Sequence, residues 1–352
     1  VLDARLERTG IDPGLIGDVV TGCVTQVGEQ GANVGRLGVL LSRLPKEVPA
    51  VSLNRMCGSS QQAVHFAAQA IAAGDVDFAI AGGVESMTRV PMFSDIGGGF
   101  HTLNPELRKR YELVHQGESA ERIAGRYGFC REELDEWGYL SHKRAARATE
   151  EGRFSAQILP LEGLDAEGRP FLLTRDEGVR PDVDYEKMLA LKPVFRENGV
   201  VTAGNSSQIS DGAAALLLGD REKALALGLR PRARFLARVV VAGDPTLQLL
   251  EVIPAAKKAL ERAGLSLRDV DVIEVNEAFA SVVLAFLREL GADPEKVNPN
   301  GGAIAHGHPL GATGAVLMTK LLYELERTGG EFSLQVMCIG HGQATATVIQ
   351  RL

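Results

Sequence analysis

Apolar positions along the chain follow two rhythms. Short, nearly unbroken apolar runs at Asp77–Gly82 (DFAIAG), Ala213–Leu218, Val270–Val275 and Phe332–Met337 predict buried strands. Between them, Ser60–Ala73 sets Ala63, Val64, Ala67, Ala70 and Ile71 at helical spacing. Pro254–Ala263, Ala278–Leu290 and Gly311–Arg327 read as further helices, and Val48–Leu53 as an extended segment. Strand and helix alternating in this way predict an α/β fold whose sheets are covered by helices. The stretch from about Arg89 to Val200 breaks the rhythm. It carries charge clusters at Glu106–Arg110, Glu118–Arg126 and Arg131–Glu136, the single Trp137, and few strand signals. It reads as a helical, loop-rich insertion between two α/β halves. GSSQQAVHFAAQAIAAG and LGATGAVLMTKLLYELE share a faint design, a sharp turn followed by a small-residue helix, which is a weak internal repeat.

At 352 residues with 45% hydrophobic content, the chain can bury one large core or two medium ones, and its length suggests two domains or three. No apolar run approaches the ~18 residues of a membrane span, and Asp3, Arg5, Glu7 and Arg8 interrupt the block a signal peptide needs. A net charge of −7 without a basic tail argues against nucleic acid as the partner, so a polyanionic ligand must meet local positive charge. The four cysteines at 23, 57, 130 and 338 form no CxxC pair and suggest neither disulfides nor zinc, which favours a reducing, cytoplasmic compartment.

In such a compartment an isolated Cys is either a small buried hydrophobe or a nucleophile. Cys57 lies in Asn54-Arg55-Met56-Cys57-Gly58-Ser59-Ser60, where the extended segment meets the Ala-rich helix. A thiol at a helix N-terminus feels the macrodipole and free N–H groups, so its pKa is expected below the reference of roughly 8.5. The setting is that of a nucleophile elbow with Cys in place of Ser. A nucleophilic Cys needs a base. His65 and His142 sit in predicted helices, whereas His308 lies in the glycine-dense turn Gly301–Gly314, just ahead of Pro309 and a helix start. His306 and His308 have no nearby carboxylate or Cys to complete a metal site, and no metal is expected. Cys338, in Met337-Cys338-Ile339-Gly340-His341-Gly342, ends a strand at a second glycine turn. It is either core or an acid–base thiol, and Gly340 there could present its N–H to an oxyanion.

Together these segments resemble the signature set of the thiolases. The Cys57 turn, Asn276-Glu277-Ala278-Phe279, the GGAIAHGHPLGATG turn and Cys338-Ile339-Gly340 occur in the family's order and span the whole chain. The resemblance implies a thiolase fold, an α/β architecture of two pseudo-repeated halves with layered sheets and helices plus an inserted loop domain. The implied boundaries are 1–88 for the N-terminal half, with 210–231 returning to it, 89–209 for the coenzyme A-binding loop domain and 232–352 for the C-terminal half. It implies reversible acyl transfer between coenzyme A thioesters, either thiolysis of a 3-ketoacyl-CoA or condensation of two acetyl-CoA. Cys57 would carry the acyl group, His308 would activate it and share an oxyanion hole, and Asn276 would hold a water there. Cys338 would exchange the α-carbon proton, and the N–H groups of Cys57 and Gly340 would form a second hole. Arg180 would meet the nucleotide of coenzyme A and Ser207 the pantetheine, with His115 and Phe279 lining its tunnel. Coenzyme A is thus a substrate, no cofactor is permanently bound, and a homodimer or homotetramer (dimer of dimers) is implied.

The chain departs from the family's pattern at His306, usually aliphatic, at His341, usually Gly, and at Gln116, where short-chain enzymes often have Met. It also begins inside what resembles the family's first long helix, so a few tens of upstream residues are expected. Three other readings compete. A decarboxylating ketosynthase of the same superfamily would show Cys-His-His, against which Cys338 and the Asn276–Phe279 segment speak. A non-catalytic acyl-CoA-binding protein would have lost Cys57 or His308. A cysteine hydrolase has no use for two thiols.

Overall fold

The computed structural model describes residues 1–97, 99–165 and 167–352. The strands are β1 (Ile16–Gly22), β2 (Ala50–Leu53), β3 (Phe78–Ser86), β4 (Leu161–Leu164), β5 (Pro170–Leu173), β6 (Asp211–Gly219), β7 (Ala233–Ala242), β8 (Val272–Val275), β9 (Phe332–Ile339) and β10 (Gln343–Arg351). They form two four-stranded sheets, β2-β1-β3-β6 and β7-β10-β9-β8, and a separate β4-β5 hairpin. In the first sheet β1, β2 and β3 run parallel while β6 is antiparallel to β3. The second sheet has the same logic: β8 and β9 are parallel and β10 is antiparallel to β9. The faint sequence repeat therefore corresponds to two topologically equivalent units, with β7 added antiparallel to β10.

Strand β3 shows why its apolar run is unbroken. Its alternate residues point to opposite faces. Phe78 and Ile80 pack on one face with Leu6, Val19 and Val39. Ala79 and Ala81 face the other way, onto Ala63, Val64 and Ala67 of the helix Ser59–Ala73. Met318, Leu321 and Leu325 of the helix Thr313–Thr328 complete that same cluster, which also holds Val272 and Ile349 of the second sheet. The two central helices thus lie sandwiched between the sheets. Beyond the second sheet, Val252, Ala255 and Ala259 of the helix Val252–Ala263 cover Val239, Val336 and Val348. The insertion contributes the helices Gln116–Tyr127 and Arg131–Glu150, whose Ile123, Leu134 and Trp137 share a core with Val282 and Phe286.

The small residues that lead the two central helices allow both N-termini to enter the middle of the molecule. No helix among the described residues is long and apolar enough to cross a membrane.

Candidate active site

The turn that presents Cys57 is built by its neighbours. Met56 adopts φ +46°, a left-handed conformation costly for a non-glycine residue. Two polar side chains hold it there. Asn54 Oδ1 accepts from Met56 N at 2.7 Å, and Ser59 Oγ donates to Met56 O at 2.6 Å while accepting from Arg55 N. Gly58 is required by what lies opposite, since a Cβ at that position would come within 2.4 Å of Ile339 Cδ1. The absence of that side chain brings the Cys57 turn against the end of β9, where Cys338 and Gly340 sit. Cys57 packs in one cluster with Met87, Leu310, Met337 and Ile339.

Strand pairing delivers the next groups. β8 runs parallel to β9 with Val275 opposite Val336, and Asn276 N continues the ladder by donating to Val336 O at 3.0 Å. This places Asn276 beside Cys338, whose Sγ lies 4.0 Å from Asn276 O. Glu277 faces the opposite way and is fully buried. It accepts from Trp137 Nε1, Ser141 Oγ, Asn298 Nδ2 and Ile304 N, tying the insertion, the Asn276 segment and the His308 turn to one carboxylate.

His308 is oriented from both sides. Its Nδ1 lies 2.6 Å from Thr313 Oγ1, and that hydroxyl donates its only hydrogen to Pro309 O at 2.8 Å. Thr313 Oγ1 must therefore accept from Nδ1–H. The lone pair is left on Nε2, which faces Asn276 Nδ2 at 3.3 Å. Asn276 Oδ1 is buried without a hydrogen-bond partner. Burial holds the His308 ring down at about 4, so it is a neutral imidazole with its basic nitrogen turned toward the site.

The thiols do not behave as the helix N-terminus suggests. Burial pushes Cys57 up to about 11, and the backbone N–H groups of Gly340 and of Cys57 itself offset this only in part. Desolvation in a closed site outweighs the macrodipole. Cys338 is pushed up to about 12 by burial and then by the nearby Cys57, with the Asn276 side chain opposing. The resting site therefore holds two neutral thiols and a neutral imidazole, and a thiolate forms only when its proton is taken.

Gly340 leads out of β9, followed by His341 at φ +61°. A Cβ on Gly340 would stand 2.8 Å from Met56 Sδ and 3.0 Å from Gln116 Nε2. Gln248 Oε1 accepts from His341 N at 2.8 Å and fixes this turn. From here a row of rings runs along the site and ends at the buried Phe279: His341 meets Phe100, Phe100 meets Phe93, Phe93 meets His115, His115 stacks on Phe195, and Phe195 meets Phe279. His115 and Phe279 are thus joined through Phe195. Ser207 N donates to Ala278 O at 3.0 Å, which sets Ser207 beside the Asn276 segment. Arg180 is exposed and forms no ion pair among the described residues; its N donates to His142 Nδ1. Cys57, Gly340, Cys338, Asn276 and His308 therefore meet at one place, with Ser207, His115 and Phe279 alongside and Arg180 at the surface.

Thr313, Glu277, Gln248 and the left-handed Met56 were not singled out from sequence. Thr313 alone left a readable signal, a hydroxyl five residues after His308 at the start of a helix. Glu277 and Gln248 act through contacts distant in sequence, and the strain at Met56 shows only in the backbone angle that Asn54 and Ser59 hold.

Two family profiles cover nearly the whole chain: the thiolase N-terminal domain matches residues 1–222 and the thiolase C-terminal domain residues 229–351. The chain belongs to the thiolase family. A steroid 3-ketoacyl-CoA thiolase of Mycobacterium tuberculosis is 46% identical over 99% of this thiolase and 86% of its own length. A β-ketoadipyl-CoA thiolase of Acinetobacter baylyi is 43% identical over 99% and 91%. The crystal structure of the Bacillus anthracis acetyl-CoA acetyltransferase superposes with a TM-score of 0.91 at 34% identity, covering 100% of this chain and 91% of that one. This thiolase is accordingly an acyltransferase with the α/β thiolase fold, and it catalyses reversible thiolytic acyl transfer between coenzyme A thioesters.

Proposed function

We propose that this thiolase cleaves 3-ketoacyl-CoA with coenzyme A, giving acetyl-CoA and a shortened acyl-CoA, through an acyl-enzyme on Cys57, and that condensation of two acetyl-CoA is the reverse path. The carrying observation is the sequence of contacts from the Cys57 turn to Gly340 through Met56, from Cys338 to Asn276 and from Asn276 to His308, which gathers one thiol at a helix start, a second thiol and a neutral base. His308 Nε2 takes the Cys57 proton as sulfur attacks the ketone carbon, and the oxyanion forms. The bond to the α-carbon then breaks, and its electron pair passes into the enolate of the departing acetyl thioester. Cys338 supplies the proton that completes acetyl-CoA. A second coenzyme A loses its thiol proton to the Cys338 thiolate and attacks the thioester, and His308 returns its proton to Cys57.

The N–H groups of Cys57 and Gly340 serve one oxyanion, a reading supported by the close approach of Gly340 to Met56, the residue before Cys57. His308 and a water on Asn276 serve the other, and the unpartnered Oδ1 supports that reading. Arg180 meets the nucleotide and Ser207 the pantetheine, with His115 and Phe279 along the tunnel. Coenzyme A is a substrate, and no permanent cofactor takes part. The enzyme works in the cytoplasm as a homodimer or homotetramer, a compartment supported by its four free cysteines.

The test is covalent. Incubation with acetyl-CoA should add the mass of one acetyl group to the Cys57 peptide, and Cys57→Ala should abolish both labelling and turnover. Acetylation elsewhere, with the Cys57 peptide unmodified, would overturn the assignment.

A further inference from the structure

The turn carrying His308 is fastened along its whole length. At its start, Lys320 Nζ, itself paired with Glu274, donates to Gly301 O at 2.5 Å. At its end, His308 N donates to Gln208 O at 3.0 Å. Between them, the Gln208 amide donates to Ile304 O, Ala305 O and, from the insertion, Gly178 O. One fastening is supplied by a departure from the family's pattern. His306 is half-buried, with Nδ1 3.0 Å from Oδ2 of the exposed Asp176, Nε2 2.9 Å from Asn300 O, and its ring edge-on to Phe154 at 5.1 Å. Asp176 stands four residues before Arg180, so the strip 176–180 rests directly on the back of the catalytic turn.

We propose that His306 and Asp176 are a positioning pair that fixes the His308 turn to the loop leading to Arg180. Neither residue touches the reacting atoms. An aliphatic residue at 306 would fill the space beside Phe154 but make neither polar contact. The pair therefore supplies a directional link between insertion and base that apolar packing alone would not. The inference rests on the functional reading of His308 given above.

The experiment compares Asp176→Ala, His306→Leu, their double variant and Asp176→Asn, whose side-chain oxygen can still accept from His306 Nδ1. Two readouts are taken: thiolysis kinetics, and the rate at which iodoacetamide alkylates the Cys57 peptide. Misplacing a catalytic base by a fraction of an ångström should lower kcat about tenfold in each alanine or leucine variant, and any rise in KM for coenzyme A through the Arg180 loop should be the smaller effect. The double variant should lose no more than either single variant, because both remove the same link. Asp176→Asn should recover at least about half of the wild-type kcat, whereas a merely structural loss would lower the melting temperature and kcat in parallel for all four. Unchanged kcat, losses that multiply in the double variant, or a change confined to KM would overturn the pair. Alkylation of Cys57 needs no substrate and should slow by a similar factor. It judges the pair even if the wild type shows no thiolysis, the result that would instead refute the functional reading.

Discussion

Replacing Thr313 by Val removes one oxygen and almost nothing else. The Thr313 hydroxyl donates to Pro309 O and accepts from His308 Nδ1–H. Pro309 O also receives the N–H groups of Ala312 and Thr313, so that acceptor remains satisfied in the variant. The whole consequence falls on His308, whose Nδ1–H is left buried and unpaired. Such a group costs about 1–3 kcal/mol. The ring escapes the cost by moving its proton to Nε2, which removes the lone pair the reaction needs. The productive tautomer is then disfavoured by a factor of about 5 to 150. We expect kcat for thiolysis of acetoacetyl-CoA to fall within that range, with KM for coenzyme A nearly unchanged, because the lost hydroxyl touches only His308 and Pro309. Thr313→Ser keeps the hydroxyl and should stay within about threefold of wild type. The assay is steady-state loss of the acetoacetyl-CoA enolate absorbance. A folded Thr313→Val protein with wild-type kcat would refute the orientation argument for His308.

Other outcomes follow from the same geometry. Arg180→Ala should raise KM for coenzyme A roughly tenfold at unchanged kcat, and an unaltered KM would place the nucleotide elsewhere. The acid limb of kcat/KM should lie near pH 4 rather than near the free-imidazole value, because burial keeps His308 neutral down to about 4; a limb near pH 6.5 would contradict this. The depressed His308 also stabilises the fold above its unfolded pKa of about 6.5, and that contribution should be lost as pH falls toward 4 in thermal melts. For Cys57 the sign reverses: its contribution is full below the unfolded pKa and is lost as pH rises toward 11.

Much of this architecture was legible from residue pattern alone. The run at Asp77–Gly82 became β3 and the Ala-rich segment became the helix Ser59–Ala73, each nearly where periodicity put it, because burial dictates their composition. Strand β10 gave a weaker signal. Its Thr345 and Thr347 are polar yet buried, satisfied by Gln61 and His65 across the interface between the two halves, and no local pattern reveals such distant partners. The same reason hid Glu277, whose partners lie 21 to 140 residues away and whose importance lies in what it orients. The pKa of Cys57 failed for a different cause. The helix start is visible in sequence, but the surrounding Met337, Ile339 and Leu310 that desolvate the thiol come from segments more than two hundred residues away.

The division of labour between the two thiols is tested most directly by Cys338→Ser. A serine hydroxyl is a far weaker acid and base than a thiol at neutral pH. Given acetyl-CoA, the variant should still acetylate Cys57, as read by mass spectrometry, because His308 and the oxyanion donors are untouched. In deuterium oxide it should lose exchange of the acetyl α-protons and most carbon–carbon bond chemistry. Exchange at the wild-type rate in this variant, with Cys57 acetylated as expected, would show that Cys338 is only a core residue and would contradict the two-thiol mechanism.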